Sequence, residues 1–365
     1  MSNDLFRAFG LVLSLAMAVA MVGCGQQAET PRSSASTASG GELTAGPDAA
    51  TPTAGATVRI IFTGDVIPAR CVYARQLAEG DFTYAFRKVT PFLSAPDLTV
   101  GSLDASISDA GRPIGCTPTF NLLAPPQSVD GLVYAGFDVL TVATNHAKDC
   151  GGQGTTACDE ALLDTIANLR AAGIASTGAG ANMVEARNPA IVAVKGTRFA
   201  FLGYDDIASY YNAGESTPGT VPLDNAYLVE GVRRARQEAD VVVVLPHWGV
   251  EYTAVPTQRQ RDLTRAAIDA GATLVVGNHP HWVQATEDLG GAFVAYSLGN
   301  FLFDQDWSAE TQQSMLLIAT FQGKRLVGAE LVPVHTGEGY QPALSSPNEA
   351  AKIIESIASA SRAVP

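Results

Sequence analysis

Residues 275–284 read VVGNHPHWVQ, and the reading of this stretch decides the fold. Leu274, Val275 and Val276 predict the end of a buried strand, and Gly277 lets the backbone turn sharply out of the sheet. His279 and His281 follow on one short turn, with rigid Pro280 between them. Two imidazoles so close behind a strand end can be aimed at a common point, which is how a metal site is assembled. The chain holds five histidines, and two of the others repeat this layout: His146 in TVATNHAKD and His247 in VVVVLPHWG. Only His335 lies outside such a setting. One histidine behind a strand is ordinarily a satisfied polar residue, but three segments of the same design point to a shared site.

Outward from that stretch the chain alternates. Strands are predicted over 57–62, 97–103, 137–143, 190–194, 199–204, 241–245 and 293–297. Helices are predicted over 82–93, 127–135, 160–172, 228–238, 261–270 and 350–361. A hairpin pairs 314–321 with 326–334 across GKR. Alternation of this kind implies an α/β layered domain, whose sites form at the carboxyl ends of strands. Asp65 then falls just past the first strand, Asp104 at the end of the second, and Asn145 beside His146 after the third. Taken alone, Asp65 reads as a turn or cap residue. Arg70 offers a fixed positive charge for an anionic group. Glu251 lies close behind His247, and Asn300, Asp304 and Gln305 in SLGNFLFDQ are placed to line the same opening. Residues 111–118 and 205–222 read as loops, the second long enough to border a cleft.

Composition bounds the rest. A chain of 365 residues, 47% hydrophobic and 16% charged, has ample material for a sizeable core. Its net charge of -13 argues against a nucleic-acid partner and against holding anionic lipid by charge. A polyanionic substrate would have to be recruited by metal or arginine charge. Residues 1–23 carry Arg7 and then an apolar run too short to span a membrane comfortably, so they read as an export signal. Residues 24–56, rich in Ala, Ser, Thr, Gly and Pro, read as a disordered tether. The folded domain is placed at 57–365. Apart from Cys24, four cysteines remain, an even number in an exported chain, and they allow three pairings. Cys150 with Cys158 closes one short loop and leaves Cys71 with Cys116. Metal binding by these thiols lacks any CxxC spacing.

Two resemblances follow from the motifs. The ending MVGC at 21–24 resembles the lipobox of bacterial lipoproteins, which implies an acylated Cys24, membrane anchoring and an extracytoplasmic location, with simple secretion as the alternative. The ordered set FTGDVIPAR, GSLDASISD, AGFDVLTVATNHAKD, VVVVLPHWGVEY, GNHPHWVQ and YSLGNFLFDQ resembles the bacterial capsule-synthesis CapA family, or poly-γ-glutamate synthesis domain, related to the calcineurin-like metallophosphoesterases. The resemblance implies a four-layer sandwich of two central mixed β-sheets flanked by helices. It also implies two divalent ions, manganese, iron or zinc, held by Asp65, Asp104, Asn145, His247, His279 and His281. His146 would be an unligated general acid, and Arg70 matches the arginine closing the first motif. Where the family has Asn-Leu-Glu, this chain has Ser102, Leu103 and Asp104, a carboxylate one methylene shorter. The leading expectation is a tethered protein acting in synthesis, export or attachment of an anionic capsule polymer, alongside capsule-synthesis membrane proteins. A phosphoesterase acting on extracellular phosphate esters and a non-catalytic polymer-binding lipoprotein are the alternatives.

Overall fold

The computed structural model describes residues 56–151 and 158–364. The expected export signal, the expected acylation site Cys24 and nearly all of the expected tether therefore lie outside the described residues. Four strands come first: β1 (Thr57–Val66), β2 (Leu98–Leu103), β3 (Val139–Thr141) and β4 (Ala175–Thr177). Helices α1 (Arg70–Glu79), α2 (Ser128–Ala135) and α3 (Asp159–Ala171) run between them. A second sheet follows, built from β5 (Ala190–Val194), β6 (Thr197–Asp205), β7 (Val241–His247), β8 (Leu274–Val276), β9 (Thr286–Asp288) and β10 (Phe293–Ala295). Helix α4 (Asn225–Glu238) joins β6 to β7, and α5 (Gln258–Ala270) joins β7 to β8. The chain then returns to the first sheet with β11 (Asn300–Leu302), β12 (Gln313–Gln322), β13 (Arg325–Thr336) and β14 (Pro342–Leu344), and ends on α6 (Pro347–Arg362).

The first sheet runs β14-β13-β12-β1-β2-β3-β4 with β11 also on β1, and the second runs β9-β10-β8-β7-β6-β5. Alternation along each strand stacks them into layers. Ile60 and Phe62 of β1 share one core with Phe199 and Phe201 of β6 and with Val241, Val243 and Leu245 of β7. Ile61 of β1 and Leu140 of β3 face the other way, onto Val72 of α1, Leu132 of α2 and Leu169 of α3. Val242, Val244 and Val275 cover the opposite outer face with Leu228 and Val232 of α4 and Leu263 of α5. The order is helices, sheet, sheet, helices, with both sheets mixed. Each large apolar side chain fully buried in these cores contributes about 1.5–3 kcal/mol. Among the described residues, no helix is long and apolar enough to cross a membrane.

Several elements differ from the reading of the sequence. The helix predicted over 82–93 is a 3-10 turn at Tyr84–Phe86 and a separate turn at Thr90–Leu93. Pro91 has no N–H to continue a helix through that point. Strand β1 runs four residues beyond 62, so Asp65 lies within it, paired with Ser102 on one side and Asn300 on the other. The stretch SLGNFLFDQ contains β11 rather than only a turn. Helix α1 gave no signal because only Val72 and Gln76 of it are buried, too thin a stripe to read. Both disulfides form as paired from spacing, Cys71–Cys116 with Cα atoms 4.0 Å apart and Cys150–Cys158 with Cα atoms 5.7 Å apart.

Candidate metal centre

Strands β1 to β4 are mutually parallel, and so are β6, β7, β8 and β10. Parallel pairing collects carboxyl ends along one edge of each sheet, and with the sheets stacked the two edges meet. Asp65 comes from β1, Asp104 follows β2, and Asn145 and His146 follow β3. His247 ends β7, and His279 and His281 follow β8. The turn after β8 is locked by a close approach. Trp248 Nε1 donates to the Tyr296 carbonyl (2.9 Å) across Gly277, where a Cβ would sit 2.2 Å from both of those atoms. Beyond it His279 and His281 have φ of 98° and 58°. Arg70 and Tyr252 are also left-handed, so four of the six non-glycine residues with positive φ among the described residues are expected site residues or stand next to Glu251. Backbone strain gathered in this way is the mark of a functional site.

The six residues expected to hold metal come together. His247 Nε2 lies 2.8 Å from Asn145 Oδ1 and 3.6 Å from Asp104 Oδ1, while its Nδ1 is 3.9 Å from Asp65 Oδ1. Asp65 Oδ2 is 3.7 Å from His281 Nδ1 and accepts the His279 N–H at 3.2 Å. The His247 and His279 rings are 4.9 Å apart, and the His279 and His281 rings 5.9 Å. Glu251, adjacent to the motif but outside the expected ligand set, brings a carboxylate oxygen within 4.8 Å of donor nitrogens on His279 and His281. The signal for it was present, a carboxylate four residues behind a strand-end histidine.

Electrostatics single out what the cluster lacks. Burial, and then the charge of Asp104, pushes Asp65 well above the usual carboxylate range, and burial raises Asp104 as well. Burial lowers His247 far below an ordinary imidazole, and pushes His279 down to about 3 and His281 to about 4. Both oxygens of Asp104, Asp65 Oδ1, His247 Nδ1 and His279 Nδ1 are buried without a hydrogen-bond partner. Orphaned acceptors of this kind are costly, and a cation satisfies several at once. Neighbouring donors on a first-row ion, each about 2.0–2.3 Å from the metal, lie about 3–3.5 Å apart, close to the spacings of 2.8 and 3.6 Å from His247 Nε2 to Asn145 and Asp104. The donor set of carboxylate, amide oxygen and imidazole fits divalent manganese, iron or zinc.

The other two expected residues take different positions. His146 donates its Nδ1–H to Asp149 Oδ2 at 2.7 Å. Burial works against its charge, but Asp104 and Asp149 outweigh that and raise it to about 9. Asp149 also accepts the Leu122 N–H at 2.6 Å, and the Cys150–Cys158 bridge begins at the next residue. The guanidinium of Arg70 is fixed but not free. It pairs with Asp304, donates to the Thr119 carbonyl at 2.7 Å and lies 4.8 Å from the centre of the Phe303 ring. His335 stays apart from the cluster, on β13 beside Glu349 at 2.9 Å.

A family model described as bacterial capsule synthesis protein PGA_cap matches residues 59–305, which takes in every residue of this cluster. The chain belongs to the PGA_cap family. It is 33% identical over 263 residues to the capsule biosynthesis protein CapA of Bacillus anthracis, covering 70% of this chain and 62% of that one. It is 34% identical over 258 residues to the PGA biosynthesis protein CapA of Bacillus subtilis (strain 168), covering 70% of this chain and 66% of that one. The chain thus spans less than two thirds of either relative's length. Among solved structures, similarity extends to a 5'-nucleotidase precursor from Thermus thermophilus, with a TM-score of 0.43, 16% identity, and 84% of this chain and 59% of that one covered. The family match covers β2 to β11 and all but the first two residues of β1, and ends before β12, β13, β14 and α6.

Proposed function

We propose that this PGA_cap protein acts outside the cytoplasm, tethered through acylated Cys24, in the synthesis, export or attachment of an anionic poly-γ-glutamate-type capsule polymer, through a binuclear metal centre. The observation that carries the metal reading is the set of buried, unpartnered oxygens on Asp65 and Asp104 facing three imidazoles held neutral. The capsule reading is supported by the family and by the names of the two Bacillus relatives. A protein with net charge -13 repels a polycarboxylate over most of its surface, so the polymer must engage at a local centre of positive charge.

Asp65, Asp104, Asn145, His247, His279 and His281 would hold the ions. When bound, such ions polarise a carbonyl or phosphoryl oxygen and lower the pKa of water. The chain's own contribution is positional. Asp149 fixes the ring of His146 through Nδ1, which leaves Nε2 to hold a proton for a leaving oxygen. Asp304 and Thr119 hold Arg70 rigid at the rim.

A second reading, hydrolysis of an extracellular phosphate ester, is favoured by that same His146, whose raised pKa keeps it protonated at neutral pH. Both are tested on protein lacking residues 1–24 and loaded with manganese, iron or zinc. The capsule reading expects metal-dependent binding of poly-γ-glutamate that is lost in His279→Ala, with little turnover of a generic phosphodiester. Brisk phosphodiester hydrolysis without polymer binding would replace it by the second reading.

A further inference from the structure

Of the residues gathered at the cluster, Glu251 alone is exposed, whereas His279 and His281 beside it are 5% and 4% accessible. Its position is built rather than accidental. Two hydrogen bonds stitch the turn after β7 to the turn after β8: Trp248 N–H to the Asn278 carbonyl (3.0 Å) and Tyr252 N–H to the Pro280 carbonyl (2.8 Å). Gly249, with φ of 94°, starts the bend, and a Cβ there would meet the Gln260 side chain at 2.8 Å. Tyr252, with φ of 59°, ends it and stacks its ring 6.1 Å from that of His281. Between those two constrained residues the Glu251 carboxylate is delivered to the solvent side of the histidine pair. His279 Nδ1 is buried without a partner.

The donors therefore divide into two groups by proximity. Asp104 and Asn145 lie against His247 at one position, called inner, Asp65 reaches both, and Glu251 lies with His279 and His281 at the other, called outer because Glu251 is exposed.

We propose that Glu251 is the seventh ligand of the centre, bound to the outer ion, and that it is the displaceable one, holding the position that the anionic group of a substrate takes on arrival. The inference rests on the binuclear reading above. An exposed carboxylate on a surface turn leaves an ion with little loss of packing, whereas none of the buried donors can move without opening the core. The outer ion is thus the exchangeable one, and a carboxylate or phosphate from solution competes with Glu251 for it.

The test counts manganese on the full folded domain by electron paramagnetic resonance, with a titrated chelator. Wild type should hold two ions and release one before the other. Glu251→Gln should keep the tight ion and bind the other at least tenfold more weakly, and Glu251→Asp should restore part of the loss. Because Glu251 is exposed, its variants should melt with the wild-type profile when stripped of metal. Two ions of unchanged affinity in Glu251→Gln, or equal loss of both, would overturn the assignment of Glu251 while leaving the binuclear centre standing. Failure of wild type to bind manganese, iron or zinc at all would remove the centre itself, and Glu251's role with it.

Discussion

The two sheets bring opposite chemistry to one edge. The first supplies oxygen, from Asp65 in β1, Asp104 after β2 and Asn145 after β3; the second supplies nitrogen, from His247 in β7 and from His279 and His281 after β8. Burial pushes the two halves in opposite directions, raising Asp65 and Asp104 above the usual carboxylate range and lowering the three histidines below an ordinary imidazole. Only His146, which faces Asp104 and Asp149, is pushed the other way. Glu251, His279 and His281 all come from the second sheet, but the group around His247 draws on both sheets, with Asp104 and Asn145 from the first. Stacking the sheets and assembling that group are therefore one event, and the core between them fixes the donor spacing.

The most severe break in that arrangement removes the group that reaches both halves. Asp65→Asn keeps an oxygen for the His279 N–H but deletes the charge between His247 and His281. Its effect on manganese affinity should exceed the about 10–100-fold cost of losing an outer-shell partner, and both ions should be lost together. Loss of one ion alone, read by metal content after dialysis, would mean that the halves bind independently.

A second test uses their opposite response to pH in metal-stripped protein. Asp205, which ends β6 beside His247, is raised by burial from 3.8 to about 6. A raised acid binds more protons folded than unfolded, so its stabilising contribution is present below about 4 and is lost as pH climbs to about 6, up to about 3 kcal/mol. His279 and His281, at about 3 and about 4, act in reverse, with stability lost as pH falls from about 6.5 through those values. The two slopes oppose each other between about pH 4 and 6 and partly cancel. Asp205→Asn should unmask the histidine slope, so that denaturant melts at pH 4.5 and 6.5 differ more in the variant than in wild type. An unchanged difference would show that Asp205 titrates normally.

Much of this was legible in the sequence, for a physical reason. Strand-end histidines and carboxylates sit behind apolar runs that can only be buried, so His247 and the His279–His281 turn announce both fold and site. Buried parallel strands such as β7, residues 241–247, are continuous apolar runs, which is why most of them could be read, whereas β4, three residues long and only partly buried, was not. What escaped was set by tertiary contact. Helix α1 buries too few residues to show a period, Pro91 cuts the helix predicted over 82–93, and β1 is longer than its apolar run because Asp65 pairs with Ser102 and Asn300. Glu251 was visible, but its approach to the histidines depends on two hydrogen bonds between turns that are nearly thirty residues apart, which no local pattern encodes.

The mildest test concerns Asn300, the point at which the first sheet supports a nitrogen ligand of the second. Its Nδ2 donates to Gln305 Oε1 (3.1 Å) and to the Thr311 carbonyl (3.0 Å), so its Oδ1 must be the atom that faces His281 Nδ1 at 2.8 Å. An oxygen there accepts, which makes Nδ1 the protonated nitrogen of His281 and leaves Nε2 with the lone pair for an ion. Because Asn300 pairs in register with Asp65, one strand contact orients a carboxylate and an imidazole together. Asn300→Ala should free the ring to rotate and weaken manganese binding by about 10–100-fold, about 1.4–2.7 kcal/mol, at one of the two ions. Asn300→Asp, which still accepts from Nδ1, should hold the ring and retain most of the affinity. If alanine and aspartate weaken binding equally, the tautomer of His281 is not set by this bond, and the first sheet contributes ligands to the centre without orienting those of the second.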